Sequence, residues 1–266
     1  MNTIKLYLRS MAMLIRCQLE YPVSFLLQTA AQFVMEGSEM LAVILIVDRF
    51  GSVGRWEAGD LFFFFGMMSV TFYLTEIFGR GITGHFPYLI RTGGMDTILT
   101  RPRGILTQVL CSAADPRRIT CVGIGTVSLV IGSRLAQIRW TALKAAAMAE
   151  AVLLGGVLIL GLFLIEAIFV IYSVKSVELV NALTYGGRSA CEYPVDIFPR
   201  PLRILFTAVA PFALVLHVPS AYILDKPLYG WPAWTAFACP LTGAVFFAAI
   251  YGLFRIALRH YRSTGS

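Results

Sequence analysis

Long apolar runs separated by short polar segments set the pattern of this chain. Six runs recur, at about Tyr21–Val47, Leu61–Phe78, Ile119–Ser133, Ala145–Tyr172, Ile204–Leu224 and Ala236–Leu258. They are continuous, not alternating, and most approach the roughly 20 residues that a helix needs to cross a bilayer, so they predict transmembrane helices and argue against a β-barrel. Residues 1–20 are too charged to span. Ile4, Tyr7, Leu8, Met11, Leu14 and Ile15 recur there at helical spacing, with Lys5, Arg9 and Arg16 on the other side. That pattern fits a helix lying in the membrane interface, or one packed on a cytoplasmic surface.

The breaks divide the chain. Spans one and two fill 21–79, a polar loop fills 80–118, and spans three and four fill 119–172. A second polar loop takes 173–203, spans five and six take 204–258, and a tail follows at 259–266. Pro211, His217 and Pro219 interrupt the fifth run, and broken backbone at membrane depth needs cover from protein or water. A re-entrant or surface-lying hairpin is therefore expected over 219–233, before span six.

Composition agrees with the pattern. Of 266 residues 58% are hydrophobic and 14% charged, more apolar surface than a soluble chain of this size can hide. The fold class is an all-α polytopic membrane protein. Its net charge of +7 follows from topology more economically than from nucleic-acid binding. Five cysteines without paired spacing and three dispersed histidines give no disulfide framework or metal centre. No cleavable signal peptide is expected.

With six spans and the N-terminus inside, sixteen basic residues fall on the cytoplasmic side and six on the other. Both termini and both polar loops are then cytoplasmic by the positive-inside rule.

Five carboxylates lie within the apolar runs, two of them, Glu76 and Glu150, near the ends of their runs. Glu36 and Glu39 share a helix face in span one, and Glu166 lies deep in span four. At mid-bilayer a carboxylate costs about 2.5–3.5 kcal/mol on insertion scales, so these residues should face protein or water. Glu36 and Glu39 either line a path or grip a partner span, or the helix is broken or shifted there and they reach an interface. Phe62–Phe65, at the start of span two, are expected to face lipid near an interface.

Catalytic constellations are missing. There is no phosphate-cradling Gly-x-x-x-x-Gly-Lys-Ser/Thr, no Gly-x-Ser-x-Gly elbow and no His-Glu-x-x-His helix, so no catalytic residue is assigned. The 80–118 loop carries six arginines against Asp96 and Asp115. Gly93-Gly94 permits a tight turn, Asp96 can cap Thr97-Ile98-Leu99, and Pro102 favours a helix start. After Pro102, Ile105, Leu106, Val109 and Leu110 make one apolar stripe. A short amphipathic helix beneath the membrane is expected, or else a solvated basic loop. Asp115-Pro116 suits the start of span three, with Asp as N-cap.

Arg91-Thr-Gly-Gly-Met-Asp-Thr-Ile-Leu-Thr-Arg-Pro-Arg103 resembles the signature of bacterial ABC type 2 permeases, within a six-span subgroup that pairs with a second permease. Asp115-Pro-Arg-Arg118, Leu183-Thr-Tyr-Gly-Gly-Arg188, Tyr193-Pro-Val-Asp-Ile-Phe-Pro199, Ala210-Pro-Phe212 and Pro219-Ser-Ala221 match in order. Thr92-Gly-Gly-Met departs from the pattern, standing where an acidic residue is expected. The resemblance implies an export permease of the bacterial inner membrane, with a coupling helix between spans two and three. It implies a separate ABC-type ATPase dimer that binds ATP and Mg, and a related or identical second permease. The chain itself would bind no cofactor, metal or nucleic acid. Arg91, Asp96, Arg101, Pro102, Arg103, Asp115, Arg117 and Arg188 would then serve coupling to the ATPase, and Glu36, Glu39 and Glu166 the substrate path. An ion-gradient-driven transporter or channel using the same three glutamates is the competing expectation.

Overall fold

The computed structural model describes residues 3–172, 177–228 and 230–261. The chain opens with α1 (Thr3–Leu19) and α2 (Pro22–Phe50). A two-stranded turn follows, β1 (Ser52–Val53) antiparallel to β2 (Trp56–Glu57), and then α3 (Ala58–Arg91), whose stretch Gly81–His85 is wound with π geometry. Two short helices, α4 (Met95–Leu99) and α5 (Ile105–Leu110), lead to α6 (Pro116–Leu135) and α7 (Ala142–Tyr172). After them come α8 (Val177–Cys191), the bent pair α9 (Arg200–Val209) and α10 (Ala213–Ile223), and α11 (Thr235–Arg259). Five of these helices, α2, α3, α6, α7 and α11, are long and apolar enough to cross a membrane.

α3 is the axis of the bundle. It packs against α6, α7 and α8, and nearly every residue from Gly59 to Tyr73 is buried. Phe62–Phe65 are all buried, so the expectation that they face lipid is wrong. Helices surround α3 on more than one side, and its apolar residues therefore serve protein packing at every angle. The α3–α6 crossing is close because it is made of glycine. A Cβ on Gly66 would lie 2.6 Å from Gly125 O, and one on Gly132 would lie 2.5 Å from Phe63 N. Backbones that touch without side chains between them are a common way for membrane helices to associate.

The bundle has two ends. One, the loop end, carries α4 and α5 with the start of α6. The other carries the β1–β2 turn and the 136–141 connection, and is called the turn end here. Asp196 belongs to the turn end. Trp56 Nε1 donates to it at 2.8 Å, and Arg55 pairs with it at 3.0 Å. Lys226 pairs with Asp60 at 2.9 Å, and Lys144 with Asp225 at 2.6 Å, which ties 225–226 to the same end. α7 arrives at the loop end, where Tyr172 lies against His260. The chain must therefore cross between residue 172 and residue 196, and α8 makes that crossing.

This corrects the sequence-based layout. Residues 177–203 do not remain at the loop end, and Ile204–Leu224 does not run from one end of the bundle to the other. α9 enters from the turn end, bends by 84° at the break before α10, and returns. Pro211 sits in that break and offers no backbone N–H to continue a helix. The hairpin thus occupies 200–223, earlier than expected, and the helices that run between the two ends are α2, α3, α6, α7, α8 and α11. Residues 173–176, including Lys175, and the tail from Arg262 onward lie outside the described residues.

α1 is helical as its periodicity requires. Tyr7 donates to Phe78 O at 3.3 Å and Gln18 to Ala114 O at 3.0 Å, which pins the helix at the loop end, while Leu8 and Met13 are exposed along it.

Candidate functional site

Polar residues on α3 recur at four, three and four: Ser69, Tyr73, Glu76 and Arg80. That spacing lays them along one helix face. The face meets Gln32, Glu36 and Glu39 of α2, Tyr185 and Arg188 of α8, and Arg118 of α6, forming a polar seam through the interior.

Its centre is Arg188. One terminal nitrogen lies 2.8 Å from Glu36, 2.7 Å from Glu39 and 2.7 Å from Glu192. Ser69 and Tyr73 hydroxyls donate to Glu36 at 2.7 and 2.5 Å, so both its oxygens are occupied. The guanidinium also lies over the Tyr73 ring, 4.6 Å from its centroid. Glu36, Glu192 and Arg188 are buried, whereas the Glu39 side chain is 38% exposed. Carboxylate oxygens of Glu36, Glu39 and Glu192 fall within 4.8 Å of one another, close enough to hold a cation. Arg188 supplies the positive charge there.

α2 runs unbroken through Glu36 and Glu39, which removes the reading of a broken helix and leaves Glu36 gripping a neighbouring span. Arg188, expected at a coupling surface, is instead in the interior, since α8 crosses the bundle. Glu192, which ends the same face one turn on, was missed. The i,i+4 spacing Arg188–Glu192 in a run read as loop was the available signal.

A second knot lies towards the loop end. Glu76 is fully buried and meets Arg118 at 3.0 Å, Arg80 at 3.1 Å and the Tyr185 hydroxyl at 3.2 Å. Arg118 also donates to Gln32 and lies 3.7 Å from Asp115. Asp115 pairs with Arg117 at 2.6 Å. It occupies the N-cap position before Pro116, as expected, but its carboxylate binds arginines and makes no cap hydrogen bond. Glu166, on α7, is buried, and its Oε2 has no hydrogen-bond partner among the described residues.

The loop-end surface is built from α4 and α5. Gly94, not Asp96, stands at the N-cap of α4, and Asp96 lies in its first turn beside the Tyr261 hydroxyl. Burial, and then the Asp96 carboxylate, raise the Tyr261 phenol above its usual pKa. Helix does not begin at Pro102; residues 101–103 bend and α5 starts at Ile105 after Gly104. Val109 is buried from the expected stripe, and Gln108 holds the bend by donating to Ile98 O at 3.1 Å and Arg103 O at 2.9 Å. Arg91, Arg101, Pro102 and Arg103 are exposed together. Asp115 and Arg117 lie behind them at the foot of α6, so the coupling candidates divide into an exposed cationic set and a paired inner set.

A family model described as an ABC-2 family transporter protein matches residues 33–265. No curated protein and no solved structure matches the chain.

Proposed function

The chain belongs to the ABC-2 family of transporter proteins, and from that premise we propose that it is the permease subunit of an ATP-driven exporter in a bacterial inner membrane. The match over residues 33–265 carries the reading. As a multi-pass membrane component of an ABC transporter it forms the path across the bilayer and does no bond chemistry itself. The motor would be a separate ABC ATPase dimer, which holds ATP and Mg. Six passages make half a transporter, so a second permease, related or identical, completes the path.

The loop end is the proposed docking face. Arg91 is exposed at the end of α3, Arg101 and Arg103 are exposed in the bend between α4 and α5, and Gln108 braces that bend. Charge supports placing this end in the cytoplasm together with both termini. With Arg200 and Arg203 at the turn end and Arg188 in the interior, eleven described basic residues fall on the loop side and eight on the other, Lys175 and Arg262 lying outside the described residues. Motion of α4 and α5 would reach the spans through Arg118 and Glu76, whose bonds join α6, α3 and α8. Glu39, the most exposed carboxylate of the Arg188 cluster, is the best candidate to meet substrate.

Co-expression with a partner ABC ATPase tests this. Asp96→Ala and Arg101→Ala should each cut co-purification of the ATPase at least tenfold and leave the permease's thermal midpoint unchanged. Transport by the reconstituted permease with no ATPase present would overturn the reading. It would favour an ion-driven transporter instead, for which Glu166, buried with an unbonded oxygen, is the protonation candidate.

A further inference from the structure

At the turn end, α3, α6 and α7 leave a groove of about 630 Å³ on the outside of the bundle. Phe63, Leu129, Val130, Ile138 and Met148 make its walls apolar. Its rim is polar and cationic. Arg134 comes from the last turn of α6, and Gln137 and Trp140 come from the connection that follows. The rim is well fixed. Gln137 adopts a left-handed backbone with φ 51°, Ile138 N donates to Ser133 O at 3.0 Å, and the Trp140 indole donates to Ser133 Oγ at 2.8 Å.

Arg134 has no carboxylate partner among the described residues, and none of the groove's lining residues is acidic. Arg139, exposed beside Trp140, adds a second cation that forms no ion pair among them. An apolar trough at membrane depth, ending in an unpaired guanidinium and an indole, matches an amphiphile with a chain in the trough and an anion at its head. A soluble anion has no use for the trough, and a zwitterionic head leaves the guanidinium without a net counter-charge. We propose that this groove is a binding site for an anionic phospholipid from the leaflet at the turn end, its acyl chain along Phe63 and Leu129 and its phosphate on Arg134.

Trp140 provides the probe. The full chain in detergent is titrated with phosphatidylglycerol or phosphatidylcholine carrying brominated acyl chains, and Trp140→Phe subtracts emission from the other three tryptophans. Phosphatidylglycerol should half-quench Trp140 at about fivefold lower concentration, the preference expected from one cation near a lipid phosphate. Arg134→Gln should bring the two lipids to parity, Arg139→Gln should keep most of the preference, and Thr126→Phe, which fills the trough from an exposed position, should weaken both lipids. Equal quenching by both lipids in the unmodified chain would overturn the proposal, as would a preference that survives Arg134→Gln. Loss of the preference in excess sn-glycerol 3-phosphate would assign the site to a soluble anion and overturn it too. Docking of an ATPase at the opposite end has no bearing on these outcomes.

Discussion

Arg188 is the residue on which the interior depends. Taking three carboxylates and one guanidinium out of water is expensive, and the arrangement holds because each charge has a partner within 3 Å. Removing the guanidinium alone leaves Glu36 and Glu192 buried without a counter-ion, a loss of about 3–5 kcal/mol for a broken buried pair. Arg188→Leu should therefore lower the thermal midpoint in detergent sharply. Glu36→Gln should cost less, because the amide oxygen still accepts from one of the Ser69 and Tyr73 hydroxyls and Arg188 keeps Glu39 and Glu192 as counter-ions. Thermal unfolding of the two variants side by side checks this, and an Arg188→Leu chain as stable as the parent would mean that water replaces the pairs. Half of the cluster was legible in the sequence. Glu36 and Glu39, three apart in an apolar run, announced a helix face that needed a partner. Arg188 was not, because Thr184-Tyr-Gly-Gly-Arg188 is as polar as a loop. Its polar side chains face a seam inside the protein, and composition cannot tell an inner polar face from an outer one.

Helices show the same division between what pattern reveals and what packing decides. The runs that became α2, α3, α6, α7 and α11 are long and apolar, and period and length suffice to find them. α8 has only 15 residues, below the length of an ordinary span, and its apolar stripe is narrow. Its course became visible only through what lies at its ends, Tyr172 against His260 and Asp196 against Trp56. The hairpin α9–α10 misleads in the opposite sense, having a span's composition and a re-entrant path. Which glycines of α6 make close contact is not legible in the sequence. A Cβ at Gly132 meets backbone at 2.5 Å, whereas one at Gly123 meets nothing within 4 Å. Gly132→Val should abolish monodisperse protein in size-exclusion chromatography, since α3 backbone cannot yield as a flexible side chain does. Gly123→Val should elute like the parent. Similar behaviour of the two variants would show that the α3–α6 crossing is looser than its geometry.

At the scale of the whole molecule, the position of the hairpin decides which surface meets which compartment. Were 173–203 a cytoplasmic loop, it would lie beside α4 and α5 and offer the ATPase a second contact. Instead Asp196, Asp225 and Lys226 are bonded to Arg55, Trp56, Lys144 and Asp60, all at the turn end. The molecule then presents short helices and arginines at one end and a covered hairpin at the other. Labelling in intact cells separates the two layouts. Arg200 and Thr97 are both exposed and lie at opposite ends. Arg200→Cys should react with a membrane-impermeant maleimide applied from outside, once the reagent has passed any outer envelope. Thr97→Cys should react only after the inner membrane is opened. The parent chain sets the background, its exposed Cys17 lying on α1 at the loop end and hence sharing the fate of Thr97→Cys. Reaction of both positions only after opening would return 200 to the cytoplasmic side with Thr97, against the four bonds from Asp196, Asp225 and Lys226 that hold it at the turn end. An inverted molecule would instead label Thr97→Cys from outside and protect both Arg200→Cys and Arg134→Cys, whereas a misplaced hairpin alone would leave Arg134→Cys reactive from outside.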